Sequence, residues 1–165
     1  LEAFTLIKRN RGGSFTHKLV IAGKEGDSSV AIKRLIKRNG MESEVFFTGF
    51  VSSSDMPAIY SMADCFVFLS FHEGFGLPPL EAMACGTPVI ASNNTATGEM
   101  TRGVALQVVP NDIIGAAGAI EKILTDTTLR KALIVKGMAH AAQYTWERTA
   151  ELTMRTYYEA GNTAK

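Results

Sequence analysis

The chain is poor in the residues that define several common protein classes. Of its 165 residues only Cys65 and Cys85 are cysteines. Both lie inside apolar segments, so they read as small reduced core residues of a cytosolic chain, and a disulfide scaffold is excluded. No apolar run approaches the length of a membrane span, and no charged stretch precedes a short apolar one as in a secretory leader. The formal net charge is only +1, which leaves no bias toward nucleic acid or an anionic membrane. Paired aspartates are missing: Asp27, Asp55, Asp64, Asp112 and Asp126 each stand alone, so no carboxylate-held Mg²⁺ or Mn²⁺, and no other metal, is expected. Cysteine–histidine spacing for zinc is missing, as is a Ser, His, Asp order that would point to hydrolysis. Gly74 and Gly76 lack the third glycine of a dinucleotide fingerprint, and no P-loop is present. Repeats and low-complexity tracts are absent too.

What is there reads as one domain, residues 1–165, long enough to bury a core. The hydrophobic share of 46% and charged share of 20% are ordinary for a globular chain. The chain opens with Leu1, Phe4 and Ile7 at helical spacing and reads as the middle of a longer polypeptide. "KLVIAG", "EVFFTG", "DCFVFLS", "PVIAS" and "GVALQVV" are short apolar runs that suit buried strands, the third on both faces. Between them lie helical patterns, among them "SSVAIKRLIKRNG", stopped by Asn39-Gly40, and "SSSDMPAIYSMA" with serine caps. Three helices follow: Asp112 to Leu124, Thr127 to Gln143, and Thr145 to about Gly161. The last carries Trp146, Tyr157 and Tyr158, which are expected to pack against the sheet. Strands alternating with helices predict a Rossmann-like α/β fold, a parallel sheet with helices on both faces. Ligands of such sheets bind beyond the carboxyl ends of the strands, which selects the loops 23–28, 48–54, 70–77 and 92–98.

One of these loops opens "SFHEGFGLPPLEAMACGTPVIAS", Ser70 to Ser92. A residue before proline is pushed out of the α region, so the helix is expected to start at Pro79, with Pro78 as N-cap and Glu81 as third helical residue. Pro78 and Pro79 have no N–H; any backbone donors to a ligand come from Gly74, Phe75, Gly76 and Leu77, or from Leu80 onward. The helix start adds partial positive charge. Amides with a carboxylate at each end suit a ligand bearing both phosphates and hydroxyls, such as a nucleotide sugar. Residue chemistry leaves other roles open. Glu81 also fits a first-turn glutamate that complements the helix dipole, and Glu73 a solvated loop carboxylate.

The run "EGFGLPPLEAMACGTPVIAS" strongly resembles the signature of family 4 retaining glycosyltransferases, which have the GT-B fold. The resemblance extends through "LVIAGK", "VFFTGFVSSSDMPAIYSMAD", "GVALQVVPND" and "YTWERTAELTMRTYYEA", nearly the whole chain. It implies that this is the C-terminal half of a GT-B enzyme. Glu73 then contacts the donor sugar as the catalytic carboxylate. Amides of Gly74, Phe75, Gly76 and Leu77 meet the sugar and diphosphate, and Glu81 binds the ribose hydroxyls. Gly49, Phe50 and Val51 contact the base. Lys24, on the same sheet edge, is a further candidate for the diphosphate, though a solvated lysine is its plainer explanation. The donor implied is a UDP- or GDP-sugar, with no cofactor. The partner is an N-terminal acceptor domain of the same polypeptide, towards which the final helices, residues 127–161, pack if they do not pack on this domain. The setting expected is cytoplasmic, at the membrane periphery in the full-length protein, in polysaccharide biosynthesis, and the chain alone is expected to be inactive.

Two departures stand out. Where relatives often read leucine-proline-glutamate, this chain has Gly98 before Glu99, which leaves the path of that loop undetermined. An arginine and lysine that hold the diphosphate in the family should lie upstream of Leu1. A nucleotide-sugar-binding module without turnover and a GT-B-like sugar-nucleotide epimerase stay open beside the transferase.

Overall fold

A computed structural model describes residues 1–163. Helix α1 (Glu2–Arg11) leads through a 3₁₀ turn to β1 (Leu19–Ala22), then α2 (Ser29–Arg38), β2 (Val45–Gly49), α3 (Met56–Met62) and β3 (Phe66–Phe68). There follow α4 (Leu77–Ala84), β4 (Val89–Ser92), α5 (Thr95–Met100), β5 (Leu106–Val108), α6 (Ile113–Thr125), α7 (Thr127–Ala141) and α8 (Trp146–Thr163). Every strand pair is parallel, but the strands fall into two sheets, β1–β2 and β3–β4–β5.

Two apolar cores explain the layering. The first gathers Phe4 and Ile7 of α1, Ile36 of α2, Val45 of β2, Ile90 of β4 and Ile120 and Ile123 of α6, with Leu19 and Ile21 of β1 against them. It therefore runs along one face of both sheets. The second lies on the opposite face of β3–β4–β5 and holds Tyr60 of α3, Leu80, Ala82 and Met83 of α4, Val89 and Ala91 of β4, and Met100 of α5. Alternation along β4 sends Ile90 to one core and its neighbours to the other. The α/β class holds, with helices on both faces of β3–β4–β5. On β1–β2 the second face is open: Val20 is 52% exposed and Phe46 51%.

Three local expectations change. β3 is not buried on both faces, because it is the edge strand of its sheet and Val67 remains 36% exposed; β4, in the middle, is the strand buried throughout. No serine caps α3. Asp55 holds the N-cap position without a side-chain cap bond, and Ser52 Oγ instead accepts the Asp55 N–H at 3.2 Å in the preceding turn. The last helix does not pack on the sheet: Trp146 is 82% exposed, and Tyr157 and Tyr158 are exposed as well. Among the described residues, no helix is long and apolar enough to cross a membrane.

Candidate functional site

Helix α4 begins at Leu77, two residues before the expected Pro79. The first four N–H groups of a helix have no intrahelical acceptor, so Pro78 and Pro79 sit in the first turn without losing a bond, and the pre-proline bias is overridden. Gly76 makes the entry turn at φ 100, in the left-handed region. A Cβ there would lie 3.1 Å from Thr97 Oγ1 and 3.2 Å from Met100 Cε. The far end closes at Gly86. Gly86 N–H donates to the Met83 carbonyl and Thr87 N–H to the Ala82 carbonyl, both at 3.0 Å, a Schellman motif.

Starting two residues earlier makes Glu81 the fifth helical residue, beyond the first turn, which weakens the helix-dipole explanation for it. Its side chain is engaged otherwise: the buried Tyr60 hydroxyl donates to Glu81 Oε2 at 3.0 Å. Tyr60 is itself fixed by an edge-on Phe66 ring, with centroids 5.2 Å apart, and by Thr87 Oγ1, which donates to its carbonyl at 2.6 Å. Burial first, and then the hydrogen bond to Glu81, push the Tyr60 phenol far up, so it stays a neutral donor. Tyr60 was legible only as an apolar-face residue of α3. Its partner is 21 residues away, and nothing in the local pattern announces the contact.

Glu73 is the opposite case. It is exposed on the loop after β3, and among the described residues nothing donates to its carboxylate. Gly74 beside it has no positive φ, and a Cβ there would meet nothing within 4 Å. Phe75 leans edge-on against Tyr144, and Leu77 is exposed. Asn94 Nδ2 donates to the Phe71 carbonyl at 3.1 Å, tying this loop to the one after β4.

The other predicted residues lie on the first sheet. Gly49 ends β2, and its carbonyl accepts the Gly23 N–H at 3.1 Å, which brings the Lys24 loop beside Gly49, Phe50 and Val51. Lys24 and Phe50 are exposed and Val51 is half-buried. The predicted residues thus form two groups, one at the carboxyl edge of each sheet. A cavity of about 550 Å³ lies away from both, towards the amino end of β1, lined in part by Lys8, Lys18 and Glu44. Both lysines are already committed to Glu44: hydrogen bonds from Lys8 and then Lys18 hold that carboxyl down to about 2. Among the described residues, no cluster of three or more His, Cys, Asp or Glu side chains could hold a metal ion.

Residues 1–139 match the family described as Glycosyl transferases group 1. This chain belongs to that family. O-antigen chain mannosyltransferase B of Escherichia coli is 36% identical over 157 residues, which are 95% of this chain and 41% of that protein. The chain therefore spans about two fifths of that relative's length. Sucrose-phosphate synthase of Thermosynechococcus elongatus superposes with a TM-score of 0.82 at 29% identity, over 99% of this chain and 42% of the other. HepE of Anabaena, solved in complex with UDP and glucose, superposes with a TM-score of 0.79 at 23% identity, over 95% of this chain and 44% of the other. The fold is that of GT-B glycosyltransferases.

The loop where this group 1 glycosyltransferase chain departs from the family pattern has a clear path. It forms α5, with Gly98 N–H donating to the Asn94 carbonyl at 3.0 Å. A Cβ on Gly98 would lie 2.5 Å from the Asn93 carbonyl carbon and oxygen. No side chain fits at position 98, and proline would also lose the N–H.

Proposed function

We propose that this chain is the donor-binding half of a retaining glycosyltransferase, which moves a sugar from a UDP- or GDP-sugar to an acceptor hydroxyl. The observation that carries this reading is the pair of exposed carboxylates around the start of α4, Glu73 unengaged among the described residues and Glu81 oriented by Tyr60. A carboxylate that no protein group among the described residues engages, next to open space at Gly74, leaves room for a ligand to meet it. The mannosyltransferase relative supports sugar transfer in polysaccharide assembly. The shared fold with HepE, whose structure contains UDP, supports a nucleotide-sugar donor.

In this reading Glu73 orients the sugar hydroxyls and opposes the positive charge that develops as the anomeric carbon–oxygen bond breaks. The amides of Gly74, Phe75, Gly76 and Leu77 hold the sugar and diphosphate. Glu81 accepts from the ribose hydroxyls through the oxygen that Tyr60 leaves free. Gly49, Phe50 and Val51 flank the base, and Lys24 faces the diphosphate. The acceptor oxygen bonds to the anomeric carbon on the face the phosphate leaves, and its proton passes to the departing phosphate oxygen, which preserves configuration. The acceptor comes from an N-terminal domain of the same polypeptide. Trp146, Met154, Tyr157 and Tyr158 form an exposed stripe along α8 at helical spacing, a surface suited to that domain.

The test is a pair of substitutions in the full-length enzyme. Glu73→Ala lowers kcat and kcat/KM together by more than about a hundredfold, because its interaction strengthens only in the transition state. Glu81→Ala raises the donor KM by roughly ten- to a hundredfold and changes kcat less, since a charged hydrogen bond to a ribose hydroxyl is nearly the same in both states. Glu73→Ala keeps the wild-type melting temperature, whereas Glu81→Ala melts somewhat earlier because it leaves the buried Tyr60 hydroxyl without its acceptor. If Glu73→Ala keeps its kcat while melting earlier, the assignment of the reacting centre is wrong.

A further inference from the structure

Glu81 is exposed on α4, yet the hydroxyl that donates to its Oε2 belongs to Tyr60, which is only 7% exposed. An exposed glutamate on a helix samples several rotamers, because solvent meets its carboxylate equally well in each. A buried donor meets it in one. Tyr60 cannot follow a moving carboxylate. Its ring stands edge-on to Phe66 of β3, and its carbonyl accepts from the buried hydroxyl of Thr87, in the turn between α4 and β4. Burial of the ring is what the second core needs, and phenylalanine would supply that as well. The hydroxyl is the part that reaches from the core to an exposed side chain.

We propose that Tyr60 is a positioning residue that makes the nucleotide site selective for ribose over 2′-deoxyribose, an inference that rests on the reading of Glu81 as the ribose-binding carboxylate. An ionised carboxylate has about four acceptor positions, two on each oxygen. The Tyr60 hydroxyl takes one on Oε2 and fixes the rotamer, while Oε1 has no donor among the described residues. Two neighbouring hydroxyls on one sugar ring can both donate to such an oxygen. A 2′-deoxyribose brings only one of them, and a carboxylate held by Tyr60 does not turn to meet it afresh. A site set to accept a hydroxyl discriminates against the analogue that lacks it, because the acceptor is left unpaired. Water replaces part of that bond at an exposed glutamate, so the ratio is well below that of a closed site. Without the Tyr60 hydroxyl the carboxylate takes whichever rotamer suits the remaining 3′-hydroxyl and solvent, and the ratio falls. Burial pushes the phenol far up, so it donates throughout the neutral range.

Calorimetric titration of the full-length enzyme with UDP, GDP and their 2′-deoxy counterparts tests this. The wild type is expected to bind its preferred ribonucleotide about tenfold or more tighter than the 2′-deoxy form. Tyr60→Phe, which keeps the ring, is expected to bring that ratio within about threefold. Its melting temperature checks that the ring still packs. A wild type that does not discriminate overturns the inference. So does a Tyr60→Phe enzyme in which both nucleotides lose affinity by the same factor, the result of a purely structural role. Glu81→Ala separates that failure from failure of the underlying reading, since it too is expected to collapse the ratio. A ratio lost in Glu81→Ala but kept in Tyr60→Phe removes the role of Tyr60 alone. A ratio that Glu81→Ala leaves intact, or no binding of either UDP or GDP, removes Glu81 from the ribose site and the inference with it.

Discussion

Strand β4 is buried along its whole length, from Val89 to Ser92, whereas β1 alternates half-buried and exposed residues. Both are four-residue strands made mainly of aliphatic residues, Leu-Val-Ile-Ala in β1 and Val-Ile-Ala-Ser in β4. The difference is not in the strands but in what surrounds them. Helices α4 and α5 cover one face of β4 and the first core covers the other, while β1 has one covered face, one partner strand and one open edge. The same contrast separates the two glutamates. Glu81 rides on a helix pinned by Tyr60 inside the covered half, and Glu73 stands on a loop with no protein partner among the described residues. A carboxylate that the fold does not use is available to a ligand.

The largest effect that tests this contrast is in the cores. Ile90→Ala, at a fully buried site, is expected to destabilise by about 2–5 kcal/mol through lost burial and a cavity. Val20→Ala, on the open face, is expected to stay within about 0.5 kcal/mol. Denaturant unfolding of both variants measures the gap, and similar losses would mean that β1 is as covered as β4. A smaller and more discriminating effect concerns the two glycines of the Glu73 loop. Gly76→Ala forces a side chain into the left-handed region and against Thr97 Oγ1, costing about 1–3 kcal/mol. Gly74→Ala meets open space, so melting is unchanged while nucleotide-sugar affinity falls; unchanged affinity would remove Gly74 from the site.

The smallest effect lies in the β1–β2 half. Glu44, before β2, is clamped by Lys8 of α1 and by Lys18 before β1. Its carboxyl is lowered from 4.5 to about 2, first by the Lys8 hydrogen bond. A depressed folded-state pKa means that the stabilisation is complete above about 4.5 and is lost as pH falls toward 2. The melting difference between wild type and Glu44→Gln should therefore shrink between pH 5 and pH 2.5, and should be reduced by salt, since the group is partly exposed. A difference that grows on acidification would show that the clamp does not hold Glu44 ionised.

Much of this was legible in local pattern. The alternation of short apolar runs with helical stripes predicts the five strands and their parallel class, and the Gly86-Thr87-Pro88 stop predicts the end of α4. The start of α4 was misplaced at Pro79 because the pre-proline rule is local, while Gly76, packed on Thr97 and Met100, sets the turn from across the fold. The necessity of Gly98 was hidden for the same reason, since the obstacle is the Asn93 carbonyl brought close by the curl of α5. Composition misled at β3 and α8, because an apolar run reports that a surface seeks burial and not that this stretch of chain supplies the cover.

By itself the sequence determined the family, the parallel α/β class, and the two carboxylates with their spacing around a proline-blocked helix start. These follow from covalent limits and short-range periodicity, which act within a few residues of each position. Only the tertiary structure decided that Tyr60 orients Glu81, that Glu73 is left without a partner among the described residues, and that the strands divide into two sheets over one shared core. Those outcomes depend on which distant surfaces meet, and a hydrogen bond between helices or an open strand edge exists only once the chain has been packed.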